Sequence, residues 1–144
     1  MNIEQIFNEW STDCEIDPIE AGHASLDIPK LHNKYIRYHT DERLILLKLE
    51  KEYDKLYKNM YEYYCGTLDT DTRKELELEP NQRLYLKTDI PMYMKSDNKI
   101  VALSLKIGVQ KEKIQLLDSI VKMIQYRHNQ IKTYIDYEKF KAGA

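Results

Sequence analysis

Four glycines, four prolines and two cysteines are all that this chain of 144 residues has of the residues that bend, stop or cross-link a backbone. With so few breakers, long stretches are free to run as helix. Gly22, Gly66, Gly108 and Gly143 never cluster, so no loop brings several bare amides around a phosphate, and the P-loop and dinucleotide fingerprints are excluded. Cys14 and Cys65 lie far apart with no Cys or His at metal spacing, which fits a reducing compartment and two ordinary small side chains. No run approaches the roughly 18 consecutive apolar residues of a membrane span, and residues 1 to 9 lack the basic start and apolar stretch of a signal peptide. A soluble, cytoplasmic protein that engages no membrane is the expectation.

Catalytic groupings are missing as well. His23, His32, His39 and His128 are dispersed, and His32 and His39 share a helix face seven residues apart, whereas helical metal pairs sit three or four apart. Acids are plentiful, yet none pairs with a nucleophile at readable spacing. No metal, no cofactor and no enzymatic activity are expected.

What is present is helix periodicity. Ile100, Leu103, Ile107, Gln110, Ile114, Leu117, Val121, Ile124, His128, Ile131 and Ile135 keep an unbroken three-four rhythm. A seam of about five heptads must bury itself against other helices, because propensity alone does not hold a lone helix in water. Ile107, Ile114, Leu117, Val121, Ile124, His128 and Ile131 are accordingly the candidate association residues, with Gln110 and His128 as polar positions that fix register. The seam packs either within one protomer or between protomers.

A second long helix opens at Asp27-Ile28-Pro29, where Asp caps and Pro fits the first turn, and runs to about Tyr64 before Gly66 stops it. Its buried stripe reads Leu31, Tyr35, Tyr38, Ile45, Leu49, Leu56, Met60 and Tyr63. Two helices of matched length imply an antiparallel hairpin. Ahead of them, Ile3, Ile6, Phe7 and Trp10 share one face of a short docking helix ended by Ser11-Thr12-Asp13. Between them, Leu76, Leu78, Leu84, Leu86, Ile90, Met92 and Met94 alternate with polar neighbours, and Pro80-Asn81 makes a turn; a small β-hairpin or extended arm is expected at 66–98. The fold class is mainly α, divided into an acidic arm and helical binding region at 1–66, a connecting hairpin or arm at 67–97, and a long association helix with a basic tail at 98–144.

The net charge of -2 conceals a gradient. Residues 1–27 carry seven acids and no Lys or Arg, and residues 98–144 carry nine basic and four acidic side chains. An acidic arm ahead of a basic body suits a polyanion-binding surface, with the arm as its competitor or as a handle for a basic partner; a merely solubilising face is the plainer reading. Twelve tyrosines are the compositional anomaly, five of them (Tyr53, Tyr57, Tyr61, Tyr63, Tyr64) crowded beside Lys51, Lys55 and Lys58. Bases stack on rings for about 1 to 3 kcal/mol each while ammonium groups neutralise phosphates, so this mixture suits single-stranded DNA or RNA. Tyr53 and Tyr57 read better as fillers of a helix interface; Tyr61, Tyr63 and Tyr64 stand open between the two roles.

Several segments together resemble the UvsY-type recombination mediators of T4-like phages. They are Asp13-Cys14-Glu15-Ile16-Asp17, Ile28-Pro29-Lys30-Leu31-His32-Asn33-Lys34-Tyr35, Lys58 through Tyr63-Tyr64-Cys65-Gly66, and Phe140 through Gly143, in the family's order and spacing. The resemblance implies a non-enzymatic protein that forms a ring-like homo-oligomer through its C-terminal region and binds single-stranded DNA. It further implies help to a RecA-like phage recombinase in replacing the phage single-stranded DNA-binding protein, in an infected bacterial host. The family's Lys-x-Arg motif before Tyr-Tyr-x-Gly is matched by Lys58, but Met60 stands where the arginine would be, and methionine can neither pair with a phosphate nor stack as a guanidinium does. Lys55 and Lys51 are the candidates to compensate. An oligomeric helical-hairpin chaperone or scaffold of prefoldin-like shape is the competing reading of the same helices.

Overall fold

The computed structural model describes residues 1–81 and 83–143. Five α-helices make up its regular structure: α1 (Ile3–Asp13), α2 (Ala21–Cys65), α3 (Thr70–Glu75), α4 (Ile90–Lys95) and α5 (Asn98–Lys141), with a 3₁₀ turn at Pro18–Glu20. The chain divides into two compact units, residues 1–44 with 111–144 and residues 45–110, and α2 and α5 each contribute to both. No helix of the described residues is long and apolar enough to cross a membrane.

In the first unit α1 is started by a reciprocal capping box, in which the Asn2 side chain accepts from the Gln5 amide and the Gln5 side chain from the Asn2 amide, both at 2.8 Å. Its Ile6 is buried in a core with Tyr35 of α2 and Leu117, Ile120, Val121 and Ile124 of α5, flanked by Trp10, Ile28, Leu31 and Tyr38. The long helices run antiparallel there, since Glu42 meets Lys113 at 3.0 Å while Ala21 lies beside Ile131. Two of the three acids of α1, Glu9 and Asp13, face α2. Lys34 Nζ reaches Asp13 at 2.7 Å and Glu9 at 3.1 Å, and the hydroxyls of Tyr35 and Tyr38 donate to Asp13 and Glu9. Burial raises the Asp13 pKa, but the hydrogen bonds from Lys34 and Tyr35, with the charges of Lys34 and Arg127, more than offset it and hold the carboxyl below its ordinary range. Arg127 closes α1 at its far end by donating to the carbonyls of Asp13 and Glu15, where a helix C-terminus favours positive charge.

The second unit is built on Met60, Ile90, Met94 and Ile100, with Tyr53, Leu56, Tyr63, Tyr64, Cys65, Leu78 and Tyr85 packed around them. Gly66, at φ +78°, ends α2 in a Schellman motif: the Thr67 amide donates to the Glu62 carbonyl and the Gly66 amide to Tyr63. The same motif ends α3 with a non-glycine residue, Glu77 at φ +57°, its amide bonded to Lys74 and that of Leu78 to Arg73. Asp97 joins two elements, accepting the Tyr64 hydroxyl on Oδ2 at 2.8 Å and capping α5 through Oδ1, which accepts from the Lys99 and Ile100 amides.

Several sequence expectations are corrected. The connecting hairpin is not formed: no strand occurs among the described residues, and α3 and α4 occupy that stretch. Ile90 and Met94 are buried four apart while Met92 is exposed, a helical spacing that the apparent alternation concealed, and Pro91 sits in the first turn of α4, where its missing N–H costs nothing. The second long helix begins earlier than Asp27-Ile28-Pro29. Asp17 caps the 3₁₀ turn through the Ile19 amide and Pro18 opens it, and the chain passes directly into α2 with Pro29 inside the helix. Phe140 and Lys141, the latter the basic residue of the tail, belong to α5; Ala144 lies outside the described residues. Of the buried stripe on α2, Ile45 is exposed and the carboxylate of Glu42, 4 % exposed, takes the inward place beside Lys113.

Candidate nucleic-acid interface

Lys51, Lys55 and Lys58 sit at spacings of four and three on α2, one stripe of its surface, and all three are exposed. Side-chain exposures of 73 % for Lys51 and 76 % for Lys58 leave their ammonium groups in solvent, with only loose pairs to Asp54 at 3.8 Å and Glu62 at 4.0 Å. Such exposed pairs contribute little and are readily exchanged for a phosphate. The rings of Tyr57 and Tyr61 are exposed four residues apart on the flank of this stripe. Hydrogen bonding with Cys65 raises the Tyr61 pKa, and the ring remains accessible.

The other two candidate tyrosines face inward. Tyr63 donates to the Glu79 carbonyl at 2.8 Å and Tyr64 to Asp97, and burial first, then the Asp97 bond, pushes the Tyr64 hydroxyl far above its ordinary value. Tyr64 lies 5.1 Å from Tyr85 and 6.2 Å from Tyr93, ring to ring, so Tyr63 and Tyr64 tie the end of α2 to the connector and α4. Met60 is 0 % exposed, below this layer of tyrosines, and could not reach a strand whatever its chemistry. Tyr85, Tyr93 and Arg83 were not singled out from the sequence, although basic and aromatic neighbours were the signal applied to α2; the supposed strand alternation of the connector masked it.

The candidate association residues divide similarly. Leu117, Val121, Ile124 and Ile131 are buried within the chain and Ile107 and Ile114 half-buried, so the seam of α5 is occupied by the chain's own helices. His128 is exposed, with Nδ1 at 2.9 Å from the Gln125 carbonyl, and Arg127 turns inward instead. An α-helix drifts about 20° per heptad against a 3.5-residue repeat, so after several heptads a neighbouring position takes over the inward face. Outside the seam α5 still exposes Leu105, Val109, Met123, Tyr126, Tyr134, Tyr137 and Phe140. Among the described residues no group of three or more His, Cys, Asp or Glu side chains is placed to hold a metal.

The described residues thus present a lysine stripe flanked by exposed rings on α2 and apolar surface left over on α5. Comparison with known proteins names the family. The model of the family "Recombination, repair and ssDNA binding protein UvsY" matches residues 9–144, and the chain belongs to that family. Crystal structures of the bacteriophage T4 recombination mediator protein UvsY share the fold: the lattice type II structure superposes with a TM-score of 0.86 at 20 % identity over 99 % of this chain and 98 % of that one. The lattice type IV structure gives 0.85 at 18 % identity over 97 % and 99 %. Among curated protein sequences, none matches this chain.

Proposed function

We propose that this protein is a phage recombination mediator that wraps single-stranded DNA over a ring of identical subunits and so helps a RecA-like recombinase displace the phage single-stranded DNA-binding protein. The observation that carries the reading is the exposed stripe of Lys51, Lys55 and Lys58 beside Tyr57 and Tyr61. Each copy offers a few phosphate and base contacts, and their repetition around a closed assembly turns weak sites into avid binding. A strand bent over such a surface is a poorer substrate for the single-strand coat and a better one for recombinase nucleation. Tyr63 and Tyr64 act by holding the end of α2 in place.

Copies associate through α5. Leu117, Val121, Ile124 and Ile131 hold that helix within its own subunit, while the outward Met123, Tyr126, Tyr134 and Tyr137 meet the neighbour; a long helix apolar on more than one face needs a second partner. Glu15, Asp17, Glu20 and Asp27, gathered in one recess with His23 and Arg127, are the clustered part of the acidic arm and engage a basic partner surface. The test is recombinase assembly on single-stranded DNA precoated with the phage single-stranded DNA-binding protein. Adding the native protein shortens the lag and Lys58→Ala does not; an unchanged lag with the native protein rejects the mediator role. Sedimentation velocity tests the assembly: the native protein sediments as an oligomer at micromolar concentration, Tyr126→Glu shifts it toward monomer, and a monomeric native protein rejects the ring.

A further inference from the structure

We propose that Arg83, carried on a tyrosine platform, is a second contact for single-stranded DNA. The platform is built from three elements of the second unit: Tyr64 at the end of α2, Tyr85 in the connector and Tyr93 on α4. Tyr85 and Tyr93 meet edge to face at 4.5 Å, Tyr64 stands perpendicular to Tyr85 at 5.1 Å, and Tyr64 stacks on Tyr93 at 6.2 Å. The Arg83 guanidinium lies over two of these rings at once, 5.3 Å from the centre of Tyr85 and 5.4 Å from that of Tyr93. Its backbone is fixed too. Asn81 accepts from the Arg83 amide at 3.2 Å and donates to the Tyr63 carbonyl at 2.8 Å, tying the connector to α2.

Among the exposed cations Lys51, Lys55, Lys58 and Arg83 of this unit, Arg83 is the one whose charge rests over aromatic rings, and it forms no ion pair among the described residues. The side chain is exposed although its guanidinium carbon lies over both rings, so part of the group stays open to a ligand. An exposed flat cation braced by aromatic rings suits a strand, which supplies together bases to stack and phosphates to hold at the N–H donors. Because the rings hold the side chain in place, little rotamer freedom is lost when the strand arrives. The neighbouring Leu84, fully exposed, and Leu86 supply apolar contact beside it. Sequence patterning missed this site because Arg83-Leu84-Tyr85-Leu86 alternates like a strand.

This inference rests on the single-strand-binding reading above, and one experiment separates the two. Anisotropy of a fluorescein-labelled oligothymidine is measured against salt for the native protein, Lys58→Ala, Arg83→Ala and Arg83→Lys, with melting curves alongside. Arg83→Ala melts at the native temperature, binds about tenfold more weakly and shows a log-log salt slope smaller by about 0.7 per site. Arg83→Lys restores the slope but only part of the affinity, since an ammonium neutralises a phosphate without offering a flat face. If the native protein binds and Lys58→Ala weakens it while Arg83→Ala matches the native protein in affinity and slope, the Arg83 site is overturned and the lysine site stands. If the native protein ignores the oligonucleotide even in dilute buffer, the functional reading itself falls.

Discussion

In the unit formed by residues 1–44 and 111–144, a set of charged side chains serves the fold: Glu9 and Asp13 clasp Lys34, Tyr35 and Tyr38, Glu42 is buried against Lys113, and Arg127 closes α1. In the unit of residues 45–110 the core is made of methionine, isoleucine and tyrosine, and the cations Lys51, Lys55, Lys58 and Arg83 stay at the surface. The same residue types thus have opposite physical roles. Charges that face each other at low exposure fix geometry, and charges left in solvent keep their capacity for an outside anion. Two of the seven acids that make residues 1–27 look like a free polyanion, Glu9 and Asp13, are therefore internal partners.

The comparison breaks most sharply at Met60. Met60→Arg would install the guanidinium of the family motif, but at a fully buried site with no water to solvate it; a loss on the order of 4 kcal/mol is expected in urea denaturation, with no gain in DNA affinity. In the other unit Ile124→Ala should cost about 3 kcal/mol by the same measurement, because the core around Tyr35 and Leu117 cannot collapse fully onto the void. The acid-base clasp makes that unit the pH-sensitive one. The Asp13 pKa is depressed below its ordinary 3.8, so its contribution is present above that value and is lost as pH falls through the depressed one. The pKa values of Lys34 and Tyr35 are raised, so their contributions are complete below about pH 10 and fade as pH rises further. Asp13→Asn should flatten the acid limb of a stability-versus-pH curve recorded below about pH 4; an unchanged limb would show the clasp to be inert. Smallest is Glu77→Gly in the second unit, expected to raise stability by about 1 kcal/mol, since glycine adopts the left-handed C-cap without a Cβ clash.

How much of this was written in the sequence differs by element. The α5 seam was legible because ten of its eleven positions are buried or half-buried, and the stop at Gly66 because a left-handed cap favours glycine. The start of α2 was not: two Asp-Pro signals, Asp17-Pro18 and Asp27-Ile28-Pro29, compete, and a long helix packed along its length tolerates the hydrogen bond that Pro29 removes. Residues 66–98 misled because a stretch of short helices and extended chain, crossed by tyrosines from elsewhere, leaves no period long enough to read. At the candidate site the lysines came from their crowding beside tyrosines and from the family resemblance at Lys58, whereas sorting Tyr61 from Tyr63 and Tyr64 required knowing that Asp97 and Glu79 wait for the latter two hydroxyls. Arg83 depends on a meeting of three elements that no local pattern announces.

The central claim is that the second unit carries a solvent-facing cationic edge for a single strand. Its most direct test is the salt slope of oligothymidine binding in the native protein and in the triple variant Lys51→Ala, Lys55→Ala, Lys58→Ala. The account predicts steep weakening with salt in the native protein and, in a variant that melts like the native protein, a slope lower by about 2 for three lost phosphate contacts. A native slope near zero, or the same slope in both proteins, would contradict it.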